Sequence, residues 1–242
     1  MNFKRIWVLT IMLFACLVAG CTGGMGELDQ AEEKEIKEKA IQYIKDKYQK
    51  EYVVSEVVKN PATGQAYTIR GNIKDDQNTR VTVIIELPDE IRDTYVGKLW
   101  SEELKPEITS LAEKYMDINT VEDIAYTSGT KGDSVRGEIP SVFEHLKNGG
   151  DQQFTLSISL RIYEQNGQYE QGIKRFLKEL RGMHFHEVVM EIFVSDDELK
   201  TVSEKAEESK YTLYRYNISI DDIQKIDIDH YNLDQYKTVL KD

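Results

Sequence analysis

The densest group of chemically capable side chains in the chain is His184-Phe185-His186-Glu187. On a strand, successive side chains alternate, so both imidazoles would share one face with the Glu187 carboxylate beside them. Two imidazoles and a carboxylate can hold a metal ion. The other histidines, His145 and His230, have no spacing relation to this pair. The pair also sits where a helical pattern gives way to a strand pattern, a place where histidine is common as a hydrogen-bonding residue. No metal and no cofactor is therefore assigned, and His184 and His186 remain the candidates to test. Asp75-Asp76 and Asp221-Asp222 are paired acids, but nothing around them fixes a separation or raises a pKa, and turn or cap roles explain them. Fourteen tyrosines stand out in the composition. Tyr and Trp are frequent at interfaces, and Tyr95, Trp100, Tyr214 and Tyr216 are the candidate contact residues.

Two spaced motifs fail on inspection. Ser128-Gly129-Thr130-Lys131 has a Ser-x-x-Lys spacing, but it lies in a Gly-punctuated loop and neither a Ser-Asp-Asn nor a Lys-Thr-Gly element accompanies it. The acids from Asp227 to Asp234 suggest a calcium loop. Such a loop needs an oxygen ligand at its fifth place, Gly at its sixth and Glu at its twelfth, and those places hold Tyr231, Asn232 and Thr238. There is no phosphate loop and no Gly-x-Gly-x-x-Gly.

The bulk properties exclude more than they assign. The formal charge is −12, and loss of the first twenty residues, whose only charges are Lys4 and Arg5, makes it −14. A chain so acidic is repelled by nucleic acid, and no basic patch with interleaved aromatics argues otherwise. The two cysteines are Cys16 and Cys21. The chain beyond them therefore has no thiol nucleophile, no disulfide and no Cys-based zinc site. At 40% hydrophobic and 31% charged residues the composition is that of a globular protein.

The elements that would position these residues fall into two units. In the first, 28–118, Leu28 to Lys50 reads as a helix with Ile36, Ala40, Ile44 and Tyr48 as its apolar stripe. Strands follow at Tyr52–Lys59, Ala66–Ile73 and Thr79–Leu87, with connections short enough for an antiparallel meander. Pro88-Asp89-Glu90 is expected to open a second helix, and Pro106 to break or kink it. A helix followed by such a meander resembles the cystatin-like arrangement in element order alone. In the second unit, 119–242, strands are expected at Val121–Thr127, Phe154–Ile162, Glu187–Val194 and Lys210–Ile220. Helices are expected at Pro140–Leu146, after Gln165-Asn166-Gly167, and from Ser195 as N-cap through Leu199, Val202 and Ala206. The segment Leu233–Leu240 reads as a last helical turn. The strands alternate apolar and polar residues, which predicts an α+β fold of small antiparallel sheets with helices packed on one face.

The N-terminus carries the most specific signal. Lys4 and Arg5 precede an apolar run from Ile6 to Val18, 13 residues that suit a signal-peptide core and are short for a membrane span of about 20. Val18-Ala19-Gly20-Cys21 then resembles the lipobox of bacterial lipoproteins at all four positions. The resemblance implies cleavage of residues 1–20, lipidation of Cys21, and a flexible Gly-rich tether over 21–27. It implies a cell-membrane location on the extracytoplasmic face and membrane attachment through the N-terminal lipid. With no catalytic set assembled, the expectation is a non-enzymatic module that interacts with an envelope protein and has no nucleic-acid partner. A solute- or peptide-binding lipoprotein of a transporter is the alternative, and a metal-dependent hydrolase the third reading.

Overall fold

A computed structural model of the chain describes residues 28–202 and 205–241. The expected signal segment 1–20, the expected lipidation site Cys21 and the expected tether lie outside the described residues. Helix α1 spans Gln30–Tyr48 and starts at Asp29, whose carboxylate accepts the Glu32 backbone N–H at 2.7 Å. It ends at Gln49 in the left-handed region, φ 58°. The stripe Ile36, Ala40, Ile44 and Tyr48 is buried, as its spacing requires.

Beneath α1 lies a four-stranded antiparallel meander, β1 (Tyr52–Lys59), β2 (Ala66–Ile73), β3 (Arg80–Glu86) and β4 (Glu90–Asp93), paired in chain order. Alternation places Tyr67, Ile69 and Ile73 of β2 and Val81, Val83 and Ile85 of β3 in the core. Gly71 completes that face for a steric reason. A Cβ there would lie 2.4 Å from the Val53 carbonyl oxygen and 2.8 Å from the Tyr52 ring. The helix expected from Pro88 begins later. Glu90–Asp93 pairs with β3, with Ile91 opposite Ile85 and Asp93 opposite Val83, because Ile91 and Asp93 continue the sheet's alternation.

Helix α2 (Tyr95–Tyr115) then runs unbroken through Pro106, contrary to expectation. Proline inside a helix costs about 3 kcal/mol. Pro106 is on the exposed side, where water can serve the carbonyl it leaves free. The opposite side buries Trp100, Leu104, Ile108 and Ala112. Each large apolar side chain among them contributes about 1.5–3 kcal/mol, which outweighs one lost bond. α2 packs along β5 and touches β3, so both sheets share it.

The second sheet contains β5 (Ile118–Thr127), β6 (Thr155–Tyr163), β7 (Glu187–Ser195), β8 (Thr212–Ile220) and β9 (Lys237–Val239), ordered as in the chain. The short helix α3 (Val142–Lys147) precedes β6, and α4 (Tyr169–Gly182) joins β6 to β7. That pair is parallel, and the other pairs are antiparallel. A crossover helix imposes this exception, since a strand that returns through a helix re-enters the sheet in the same direction. Leu156, Ile158, Leu160 and Ile162 of β6 point inward, as do Ile173, Phe176, Leu177 and Leu180 of α4. α4 approaches α2 closely at Gly172, where a Cβ would sit 2.4 Å from the Tyr115 carbonyl oxygen.

Two expectations near the C-terminus are corrected. Ser195 is the last residue of β7, fully buried, and the cap belongs to Asp196, which accepts the Glu198 N–H at 2.8 Å. In place of the expected α-helix, two 3-10 segments follow, Asp197–Thr201 and Lys205–Tyr211. The expected terminal helix is a 3-10 turn at Asp234–Tyr236 followed by β9, which pairs with Tyr214–Tyr216. The fold is α+β, and one contiguous cluster of buried side chains runs from Ile36 to Leu233 across both sheets. Among the described residues no helix is long and apolar enough to cross a membrane.

Candidate functional site

The structure disperses the histidine pair. Strand β7 begins only at Glu187, and His184 occupies a turn with φ 66°. His186 Nδ1 lies 3.2 Å from Asp222 Oδ1 and Nε2 lies 2.9 Å from the Gly149 carbonyl oxygen, so both ring nitrogens are engaged. Asp222 also meets Lys225 at 2.8 Å, and that ammonium, ahead of the Gln224 and His186 bonds, holds its carboxyl below the usual range. Glu187 turns away to Lys131, whose ammonium lowers its pKa. This also takes Lys131 from any partnership with the Ser128 hydroxyl. No group of three or more His, Cys, Asp or Glu is placed to hold a metal among the described residues.

The paired acids are turn residues. Asp75 accepts from the Thr79 hydroxyl at 2.6 Å, from the Thr79 N–H at 2.9 Å and from the Tyr95 hydroxyl at 2.9 Å. Burial alone would raise its pKa, but these donors bring it below the ordinary aspartate value. Asp227 accepts from His230 at 2.8 Å, and Asp229 pairs with Lys178.

Three of the four candidate contact aromatics are core. Tyr95 stands edge-on to Tyr48 with ring centres 5.1 Å apart. Trp100 stacks on His145 at 4.3 Å and donates its indole N–H to the Pro140 carbonyl at 2.9 Å. Tyr216 donates to Glu170 at 2.8 Å. All three are buried, because each lies on the inward side of its element, and this removes them from any contact surface. Tyr214 is half-buried beneath Lys237, whose ammonium sits 4.0 Å from the ring centre.

The tightest polar constellation is one that the apolar patterning hid. Lys47 is buried, with Nζ 2.8 Å from Asp93 and 3.1 Å from Asp133. Asp93 also accepts from the Tyr43 hydroxyl at 2.9 Å, the Tyr48 hydroxyl at 3.0 Å and the Tyr95 N–H at 2.8 Å. The side chains of Lys47, Asp93 and Asp133 are 3%, 0% and 2% exposed. One cation therefore faces two carboxylates out of water. Burial pushes the Asp133 carboxyl up, against the pull of Lys47 and with that of Asp93. Burial first, and then the Asp93 charge, push both phenols well above the ordinary tyrosine value, so Tyr43 and Tyr48 stay protonated and donate.

A sealed group of this kind is suited to positioning. It pins the loop after β5 onto α1, an attachment repeated by the Gly137 N–H donating to the Lys47 carbonyl at 2.7 Å. The signal was present in the sequence: Lys47 lies seven residues beyond Ala40 and three beyond Ile44, on the buried stripe itself. Asp133 sits in an aperiodic loop and gave none.

The fold and this arrangement define an α+β protein whose chemistry-bearing side chains are largely engaged with one another. No family model matches the chain, and no curated protein matches it. It is similar to the crystal structure of a DUF5037 family protein from Ruminococcus gnavus ATCC 29149, at 11% identity over 80% of this chain and 96% of that one, with a TM-score of 0.38.

Proposed function

We propose that this protein is a lipid-anchored, non-enzymatic module on the extracytoplasmic face of the cell membrane that binds another envelope protein. The observation that carries the reading is Val18-Ala19-Gly20-Cys21 at the end of a short apolar run preceded by Lys4 and Arg5. Two acyl chains give a stable anchor where one gives a marginal one. The Gly-rich segment after Cys21 leads within a few residues to the cap at Asp29, which would keep the module near the surface.

The side of the second sheet turned away from α2 and α4 supports a contact role. It presents exposed Val189, Asn217 and Ser219 beside half-buried Ser157, Ser159 and Phe193. Arg161 lies 4.5 Å over the Phe193 ring. A mixed polar and apolar surface of this kind is what reversible protein interfaces use.

The test combines metabolic labelling with a palmitate analogue and cross-linking on intact cells. Label is expected on the wild-type chain and absent from Cys21→Ala, and a reproducible protein partner is expected to depend on the anchor. Absence of label on the wild type would overturn the anchoring. A partner profile indistinguishable from that of an unrelated lipoprotein would overturn the interaction.

A further inference from the structure

On the outer side of the first sheet, where β2 and β3 meet the start of α2, lies an open cleft of about 430 Å³. Arg70, Arg80 and Lys98 line it, with the Thr82 and Thr94 side chains between them. Arg70 is committed to Glu56 at 2.6 Å. Arg80 and Lys98 are exposed and have no ion-pair partner among the described residues. The one acid in the lining, Glu102, pairs with Lys105 at 3.0 Å. Asp75, in the turn behind the cleft, is already occupied by Thr79 and Tyr95. Two exposed cations without an ion pair among the described residues thus line one concavity, on a chain whose formal charge is −12.

From this we infer an anion site in the cleft, and the charge count names its class. Two free cations match a dianion, and a phosphate monoester carries about −1.5 to −2 at neutral pH. An arginine fork and a lysine ammonium are complementary to phosphate oxygens. The Thr94 hydroxyl oxygen accepts the Thr82 N–H at 3.0 Å, which leaves its proton free to donate to a bound oxygen. The ligand is therefore a phosphate monoester, supplied either by a small soluble molecule or by a lipid headgroup. The inference stands independently of lipidation and of a protein partner.

The test is calorimetric titration of the full chain, in non-ionic detergent, with glycerol 3-phosphate and separately with acetate. Saturable binding is expected for the phosphate ester and not for acetate. Arg80→Glu with Lys98→Glu should weaken it about tenfold or more, the effect of losing charge-assisted hydrogen bonds. Both side chains are exposed, so the fold should persist, as circular dichroism would verify. Arg136→Glu, an exposed cation outside the lining, should leave binding unchanged. A second arm measures binding to phosphatidylcholine vesicles with and without phosphatidic acid, using the Cys21→Ala chain so that no anchor contributes. Binding in the first arm assigns a soluble ester, and phosphatidic-acid-dependent binding in the second alone assigns a headgroup. No binding in either arm, or binding that the double variant retains, overturns the site.

Discussion

Among single residues, Lys47 has the largest consequences. Removing the cation strands two buried carboxylates, and breaking a buried pair in this way costs about 3–5 kcal/mol. Lys47→Met is therefore expected to lower unfolding stability by that amount in urea titrations. Asp133→Asn should not, because the raised pKa of Asp133 marks a site that favours the neutral form. At neutral pH the Asn variant is expected to match or exceed the wild type. The pH dependence follows with its sign. Between the ordinary aspartate value of 3.8 and the raised folded value, the folded chain holds a proton here that the unfolded chain has released. Stability from this group is thus present below about 3.8 and is lost as pH rises through the folded pKa. The stability difference, wild type minus Asp133→Asn, should fall with rising pH across that window. A flat difference would remove Asp133 from the account.

At the scale of elements, the close crossing of α4 and α2 makes a clear prediction. Alanine is the better helix former by about 1 kcal/mol, yet a Cβ at Gly172 would meet the Tyr115 carbonyl at 2.4 Å. Overpacking of this kind costs about 1–3 kcal/mol, so Gly172→Ala should be destabilising on thermal unfolding, with a more negative effect than propensity alone allows. The same scale shows what the sequence could disclose. Strands β2, β3, β6 and β7 and helices α1 and α4 were legible because each carries its own period, set by one buried face. The parallel join of β6 to β7 and strand β9 were not, because each depends on a partner distant in the chain, and β4 was hidden because Pro88-Asp89-Glu90 carries a helix-start pattern that pairing with β3 across a short turn overrides. Pro106 misled for a related reason: local backbone cost was visible, while the buried side of α2 that offsets it was not. Among candidate site residues, chemical type pointed to His184 and His186, but only the fold could place Asp222 and Gly149 against the second ring. Lys47 escaped notice through its type, although its position on the stripe was plain.

For the whole molecule, the contiguous core predicts a single transition. Trp100 sits within that core, against Tyr126, Phe154 and His145, while helix content is divided among α1, α2 and α4. In urea titrations of a chain starting at residue 28, Trp100 fluorescence and far-ultraviolet circular dichroism should have coincident midpoints. Two separated midpoints would mean that each sheet holds its own core. The sharing of α2 also bears on how the chain folds as it is synthesised. The first sheet and α1 precede α2 in the chain, and the loop with Asp133 comes later still. Until residue 133 has left the ribosome, Lys47 has only one of its two carboxylates and the first sheet only part of its cover. The nascent chain should therefore remain open to proteases through roughly its first half and close late.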